Sequence, residues 1–333
     1  MAFGNRSCGF SGQSLSRQAL FILAPVLFFA LIFLLSSPTI TETYSRHFKA
    51  SSPVLGDHQR YFPAPGELRS WIAEEEARYT AFLTDRRKLI EKIGPSIESF
   101  PTHGEPNLLW DLLIPTFQCP HSVRRIGDLG DGGKWVCGVE VLARQSRCIV
   151  YSFGISTDSS FEADLMTRAP GCEVWGYDFS VDGFGPQIPK DSDLARRAYF
   201  HKWGLSGKDA HGPGDNPPMY TLRTLLEMNG HDFVDVLKID VEGSEFDVLT
   251  SFLQTLKHGE TLPFGQLQIE IHAWDGHGDF ANFLPWWEAL EAAGFRPFFW
   301  EPNLPYVNNL RRRPDLAEYS FINIYGQNPL IID

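Results

Sequence analysis

Beyond residue 148 the chain alternates short apolar runs with polar or helical stretches, and that alternation leaves few folds open. Runs at 148–153, 173–177, 198–202, 234–239, 265–271, 296–300 and 319–325 read as strands. Helical spacing fills 161–169, 222–229, 245–256 and 280–293. Strands that alternate with helices in this way predict an α/β domain built on a mostly parallel sheet. In such sheets ligands bind at the carboxyl ends of the strands, near the point where strand order reverses. The loops after the first, second and fourth strands are therefore where a site is expected.

Three segments fit those positions. Cys148-Ile-Val-Tyr-Ser-Phe-Gly-Ile-Ser156 is a buried strand running into Gly154, where a missing side chain lets backbone approach a ligand closely. It lacks the full spacing of a dinucleotide-binding glycine loop, and by itself it reads equally as an ordinary strand-to-loop turn. Cys172-Glu-Val-Trp-Gly-Tyr-Asp-Phe-Ser180 ends a second strand on Asp178, 24 residues after Gly154. Nucleotide-binding α/β domains place a ribose-binding acid about 20 residues after the loop, although a turn or cap aspartate gives the same pattern. The sharpest segment is Asp235-Val-Leu-Lys-Ile-Asp-Val-Glu-Gly-Ser-Glu-Phe-Asp-Val-Leu249. It delivers Asp240 and Glu242 at the end of a buried strand, with Gly243 for a tight turn and a helix behind. Alternation puts Lys238 and Asp240 on one side, where Lys238 either neutralises a carboxylate or covers the sheet. Acids gathered at a strand end are costly without a ligand, a cation or a basic partner.

Leu237-Lys-Ile-Asp-Val-Glu-Gly-Ser-Glu245 resembles the fourth-strand motif of FkbM-type methyltransferases. The wider set is similar to the methyltransferase-like protein 24 group: Asp131-Gly-Gly-Lys-Trp-Val-Cys137, Val150-Tyr-Ser-Phe-Gly154, Ser160-Phe-Glu162, Gly176-Tyr-Asp178, Lys238-Ile-Asp240 and Ile269-Glu-Ile-His272. The similarity runs from about residue 119 to 325. The resemblance implies a class I, Rossmann-like methyltransferase fold with a seven-stranded sheet, and S-adenosylmethionine as cofactor. Carried onto this chain it makes Ser152, Gly154, Asp178, Phe179 and Asp240 the cofactor contacts, with Asp178 on the ribose. The Ser-Phe-Gly-Ile-Ser loop is poorer in glycine than in better-known methyltransferases. Asp128-Leu-Gly-Asp-Gly-Gly-Lys134 either folds over the cofactor or forms a glycine-rich hairpin turn.

Methyl transfer needs an acceptor held in line with the electrophile and, for a hydroxyl, a base. Candidates for that catalytic role are Asp240, Glu242, Glu270 and His272. Glu270 and His272 alternate onto one face at the end of the fifth strand, beside the fourth. With Asp240 they could also bind a divalent metal, an alternative that is weighed and not preferred. The aromatic residues Trp274, Trp286, Trp287, Phe298, Phe299 and Trp300 offer stacking surfaces for a sugar, or simply a core.

The amino-terminal part reads differently. Residues 19–35 are uninterruptedly apolar, and 19–37 approaches the length of about 20 residues that spans a bilayer. The run is longer than a signal-peptide core and lacks its cleavage pattern, so an uncleaved signal anchor is expected. The layout is then a cytoplasmic tail at 1–18, the anchor at 19–37, a flexible Ser/Pro/Thr-rich stem at 38–66, an amphipathic helix at 67–93, a linker at 94–118 and the catalytic domain at 119–333. A type II arrangement in the endoplasmic reticulum or Golgi would place that domain in the lumen. Cys119, Cys137, Cys148 and Cys172 could form two disulfides there, with three possible connectivities.

A net charge of -12 argues against nucleic acid as a partner. Arg86-Arg87-Lys88 and Arg311-Arg312-Arg313 read as solvated faces. The expected acceptor is a glycan or a small molecule, with a sugar hydroxyl fitting the FkbM resemblance. Two alternatives stand beside this reading. A type II glycosyltransferase shares the layout, and Asp191-Ser-Asp193 has the D-x-D form, although it follows no clear strand. The other is a methyltransferase fold without activity that serves as a membrane-tethered binding module.

Overall fold

A computed structural model describes residues 63–333, apart from 65, 95, 102, 104–107, 131 and 189–192. The expected anchor and most of the stem lie outside the described residues. Among the described residues no helix is long and apolar enough to cross a membrane.

The first helix, α1 (Leu68–Ile93), is followed by an antiparallel hairpin of β1 (Val123–Ile126) and β2 (Lys134–Cys137), then by a single turn, α2 (Val139–Leu142). The main sheet opens with β3 (Cys148–Phe153), helix α3 (Ser160–Arg168), β4 (Cys172–Tyr177) and β5 (Ala198–His201). Two short strands, β6 (Gly204–Leu205) and β7 (Met219–Tyr220), pair off to the side. The rest is α4 (Leu222–Asn229), β8 (Val234–Ile239), α5 (Glu245–Thr255), β9 (Phe264–His272), α6 (Phe280–Ala292), β10 (Phe295–Pro302), α7 (Leu304–Asn309) and β11 (Leu316–Asn323).

Seven strands lie in the order β10-β11-β9-β8-β3-β4-β5. β3, β4, β5, β8 and β9 are parallel, and β11 runs antiparallel to both its neighbours. The chain moves outward from β3 through β4 to β5, then returns to β8 on the other side of β3. The order therefore reverses at the β3/β8 boundary, the place where sheets of this kind form a ligand crevice.

Strand alternation builds the two faces of that sheet. Ile149, Tyr151 and Phe153 of β3, with Leu237 and Ile239 of β8, point into one core beneath α4, α5 and α6. Cys148, Val150 and Val236 point the other way and pack against Phe161, Leu165 and Met166 of α3. Two disulfides pin the edges of this arrangement. Cys148 and Cys172 stand opposite one another in the β3/β4 register and are bonded; Cys119 is bonded to Cys137 at the end of the hairpin.

The helix expected at 67–93 packs on the domain through a buried ionic hub. Glu291 of α6 accepts hydrogen bonds from Tyr79 Oη, from both terminal nitrogens of Arg86, and from Trp287 Nε1. Arg86 is thus buried at 6 % exposure rather than solvated, a correction to the reading of the Arg86-Arg87-Lys88 run. Arg86 lies seven residues after Tyr79, two helical turns on, and so shares its inward face. Arg87 and Lys88 are exposed, as are Arg311, Arg312 and Arg313.

Candidate functional site

The crevice at the β3/β8 boundary is built backbone against backbone. Gly154 has φ 79, and a Cβ placed on it would lie 1.8 Å from the Asp240 carbonyl oxygen. The Asp240 amide in turn donates to Phe153 O at 3.1 Å, and the Gly154 amide donates to Tyr177 O at 3.1 Å. Each facing loop also holds a non-glycine residue in the left-handed region, Ser156 at φ 50 and Glu242 at φ 56. Such conformations cost free energy and gather at functional sites.

Asp178, at the end of β4, holds the Gly154 loop. Its Oδ2 accepts from the amides of Ile155 and Ser156 at 2.9 and 2.8 Å. Its Oδ1 accepts from the amide and hydroxyl of Ser180 at 2.7 and 2.6 Å. Burial alone would raise this carboxyl, but hydrogen bonds from Ser180, Ser156 and Ile155 hold it below the usual carboxylate range. A carboxylate offers about four lone-pair sites, and all four are taken. Ribose hydroxyls would have to share them. Phe179, beside it, is 47 % exposed, with its ring edge close to Gly204.

On the other side of Asp240 lies a buried cluster of charge. Lys134, delivered by β2, has its side chain only 2 % exposed; its Nζ pairs with Glu318 and stands 3.7 Å from Asp240 Oδ2. Glu318 is set opposite Glu270 by the β11/β9 register, and Glu270 Oε1 accepts from Asn303 Nδ2 at 3.0 Å. His272 is fixed by Glu245, whose Oε1 lies 2.8 Å from Nδ1 and also accepts from the amides of Val241 and Gly243. Its Nε2 faces Glu242 at 3.5 Å and Glu270 at 4.0 Å.

The members of this cluster are pushed apart in proton affinity. Burial would raise Asp240, but the Lys134 and Lys238 ammoniums and His272 hold it below its ordinary value. Burial, with the Glu318 and Asp240 carboxylates, drives Glu270 up to about 9. Burial raises Glu318 to about 7, with Lys134 pulling against it and Asp240 adding to it. For His272 burial opposes the charge, yet the Glu245 bond and the carboxylates of Glu245, Glu270 and Asp240 outweigh it and raise it to about 9. At neutral pH the cluster then pairs an ionised Asp240 with a neutral Glu270 and a cationic His272, the separation of acid and base that proton-transfer sites need.

These shifts fix a direction for stability against pH. A histidine whose folded pKa exceeds its unfolded value contributes stability that is complete below the unfolded pKa and lost as pH rises through the folded one. For His272 that window runs from 6.5 to about 9, and the raised Glu270 acts in the same direction from 4.5 to about 9. The melting temperature is therefore expected to fall between about pH 6.5 and about pH 9, and His272→Gln to flatten the fall. An identical pH profile in the variant would show that His272 is not the charged group.

Two oxygen-rich triplets are close enough to share a cation: Asp240 with Glu270 and Glu318, and Asp240 with Glu242 and His272. In the first, the Lys134 ammonium already supplies positive charge to two of the three carboxylates. In the second, the imidazole is raised toward its charged form, which does not coordinate. Without a cation, the same donors form a proton-holding network.

A groove of about 990 Å³ begins immediately after His272, lined among others by Glu98, Trp274, Asp279, Tyr306, Arg312 and Asp315. The Trp274 ring packs edge-on to His272 with centroids 4.6 Å apart, linking groove to cluster. Of the six aromatic residues considered for stacking, Trp286, Trp287 and Phe298 are buried in the core, and only Trp274 lines this groove.

The structure brings together Gly154, Asp178, Asp240, Glu242, Glu270 and His272, whereas the Phe179 ring lies by Gly204. Ser152 requires a correction. It is fully buried inside β3 and its hydroxyl donates to Glu162 Oε1 at 2.5 Å, so it supports the loop from beneath and does not reach a ligand. Alternation on a strand covered on both faces sends that side chain under α3. Lys134 and Glu318 were missed as site residues. Lys134 stood within a recognisable motif, whereas Glu318 is mid-strand and only the β9 register gives it a place. The chain between β1 and β2 begins against α3: the Gly127 amide donates to Asp164 and the Asp128 amide to Ser160 Oγ, while residue 131 lies outside the described residues. Of Asp191-Ser-Asp193, the first two residues lie outside the described residues, and Asp193 is paired with Arg196 on the surface.

A parallel sheet that reverses at β3, with a glycine loop, a loop-holding acid and a strand-end acid at the reversal, defines a Rossmann-like α/β domain of the nucleotide-cofactor type. A family model described as a methyltransferase domain matches residues 100–322, and the chain belongs to that family. It is 31 % identical over 170 residues to human probable methyltransferase-like protein 24, covering 46 % of this chain and 43 % of that protein. The rat protein of the same name is 29 % identical over 171 residues, again 46 % and 43 %. The chain thus spans less than half the length of these curated relatives. Among solved structures, the Methanococcus jannaschii fibrillarin pre-rRNA processing protein is similar at 19 % identity, over 58 % of this chain and 71 % of that one. The TM-score of that match is 0.32.

Proposed function

We propose that this protein is a membrane-anchored, S-adenosylmethionine-dependent methyltransferase that methylates a hydroxyl, with a sugar hydroxyl as the favoured acceptor. One observation carries the reading: Gly154 and Asp240 meet backbone to backbone at the strand-order reversal, with an ionised carboxylate and a proton-holding cluster around them. The residues fit the cofactor. The loop held by Asp178 offers close backbone approach, and Asp240 offers negative charge toward a cationic sulfonium.

S-adenosylmethionine, when bound, supplies an electrophilic methyl group. Lys134 and Lys238 keep Asp240 ionised beside it. A hydroxyl that takes up a methyl group loses its proton, and Glu318 can hold that proton on a carboxylate oxygen while Asp240 stays ionised. Glu318, raised to about 7, is matched to neutral pH for this task. The groove beyond Trp274 gives the acceptor its seat, with acids to accept from hydroxyls, Arg312 to donate, and aromatic faces to stack.

The two disulfides favour an oxidising compartment, since such bonds are rare where glutathione keeps thiols reduced. The secretory lumen meets that need and accords with the apolar run at 19–37. In sealed microsomes the domain is expected to resist added protease until detergent is present; digestion without detergent would refute the luminal placement. For the activity, full-length protein is incubated with methyl-labelled cofactor and a set of glycans, peptides and small hydroxyl compounds. Label is expected on a glycan, with Glu318→Gln lowering turnover by about 100-fold, the scale of a lost acid–base group. Label confined to peptide nitrogen would sink the hydroxyl reading, and full activity in Glu318→Gln would sink the site.

A further inference from the structure

Beneath the Gly154 loop lies a buried ion pair whose contact with that loop the proposed chemistry does not use, although the charge of Lys238 also bears on Asp240. Lys238, on β8, is 5 % exposed, and Glu162, in the first turn of α3, is 1 % exposed. Lys238 Nζ donates to the Gly154 carbonyl oxygen at 2.7 Å and stands 3.9 Å from Glu162 Oε1. Glu162 Oε1 takes the Ser152 hydroxyl, and its Oε2 has no hydrogen-bond partner among the described residues. The short, direct bond of the ammonium therefore goes to the loop, while its contact with the carboxylate is at ion-pair range.

A buried ion pair contributes little to stability, because desolvating two charges offsets their attraction, and an apolar pair of similar volume often does as well. Stability alone gives no reason for a lysine in this sheet. We infer that Lys238 is a positioning residue for the cofactor loop, a strut fixing the Gly154 carbonyl from below with Glu162 as its buried counter-charge. The Gly154 amide is held separately by Tyr177 O, so both polar groups of the glycine peptide are tied to neighbouring strands before any ligand arrives. A loop set in advance spares a ligand the entropy of ordering it. Ser152 and Glu162 take their place as the floor of this strut, and the open role of Lys238 is resolved toward the loop.

The inference rests on assigning the Gly154 loop to the cofactor, and the test separates the two. Full-length Glu162→Gln and the neutral pair Lys238→Met/Glu162→Gln are compared by melting temperature, by calorimetric titration with S-adenosylhomocysteine, and by amide hydrogen exchange over residues 154–158. The neutral pair is expected to melt within a few degrees of Glu162→Gln, to bind the probe about tenfold more weakly, and to exchange its loop amides faster without ligand. If it fails to fold, Lys238→Gln/Glu162→Gln is read in the same way. Unchanged affinity together with unchanged exchange would overturn the inference and leave Lys238 as a neutraliser of Glu162. Faster exchange in a protein whose parent does not bind the probe would uphold the strut and overturn the cofactor assignment.

Discussion

Gly154→Ala is expected to weaken S-adenosylhomocysteine binding by about 100-fold or more, equivalent to about 2.8 kcal/mol. The added methyl group would lie 1.8 Å from the Asp240 carbonyl oxygen, far inside van der Waals contact. That oxygen belongs to backbone, so no rotamer change relieves the overlap. The left-handed φ adds about 1 kcal/mol for any residue with a Cβ. Either the Gly154 loop lifts or Asp240 moves, and both belong to the crevice. Because the sheet beneath is pinned by a long parallel register and by the Cys148–Cys172 bond, the fold is expected to survive with a lowered melting temperature. Wild-type affinity in Gly154→Ala would show that the ligand does not depend on this junction.

The second large effect is on stability, far from the crevice. Glu291→Ala is expected to cost about 3–5 kcal/mol, because it leaves the Arg86 guanidinium buried without its partner. Tyr79 Oη and Trp287 Nε1 lose their acceptor at the same time. For a domain of this size the melting temperature should fall by about 10 °C. The double variant Arg86→Met/Glu291→Met should recover most of that loss, since an apolar pair needs no counter-charge. Chemical denaturation of the parent, Arg86→Met, Glu291→Met and Arg86→Met/Glu291→Met checks this as a double-mutant cycle. A Glu291→Ala protein as stable as its parent would mean that α1 is not held by this hub.

How far the sequence could be read follows from which contacts are local. β3 and β8 were legible to the residue, because strands buried on both faces carry unbroken apolar runs. The hairpin of β1 and β2 was not read as strands; Val123-Arg-Arg-Ile126 has no apolar alternation, and its partner is found only through the turn. β6 and β7 have two residues each and leave no periodic signal. α7 has a proline near its start and only six residues.

Within the site, Asp240, Glu270 and His272 were legible as polar residues ending apolar strands, a local pattern. Glu318 was not, because it lies within β11 and meets Glu270 only through an antiparallel pairing between distant parts of the chain. Ser152 was misplaced for the opposite reason. Proximity to Gly154 in sequence suggested contact with a ligand, while alternation turned its side chain beneath the loop. The disulfide pairing needed the fold as well: the β3/β4 register sets Cys148 against Cys172 and leaves Cys119 for Cys137.

The most direct test of the central claim is calorimetric titration of the full-length protein with S-adenosylmethionine and, separately, with sugar nucleotides in the presence of manganese. Saturable binding of S-adenosylmethionine is expected, lost in Gly154→Ala and in Asp178→Ala, with no binding of the sugar nucleotides. Binding of a sugar nucleotide alone, or S-adenosylmethionine affinity unchanged in both variants, would contradict a cofactor site at the junction of Gly154 and Asp240.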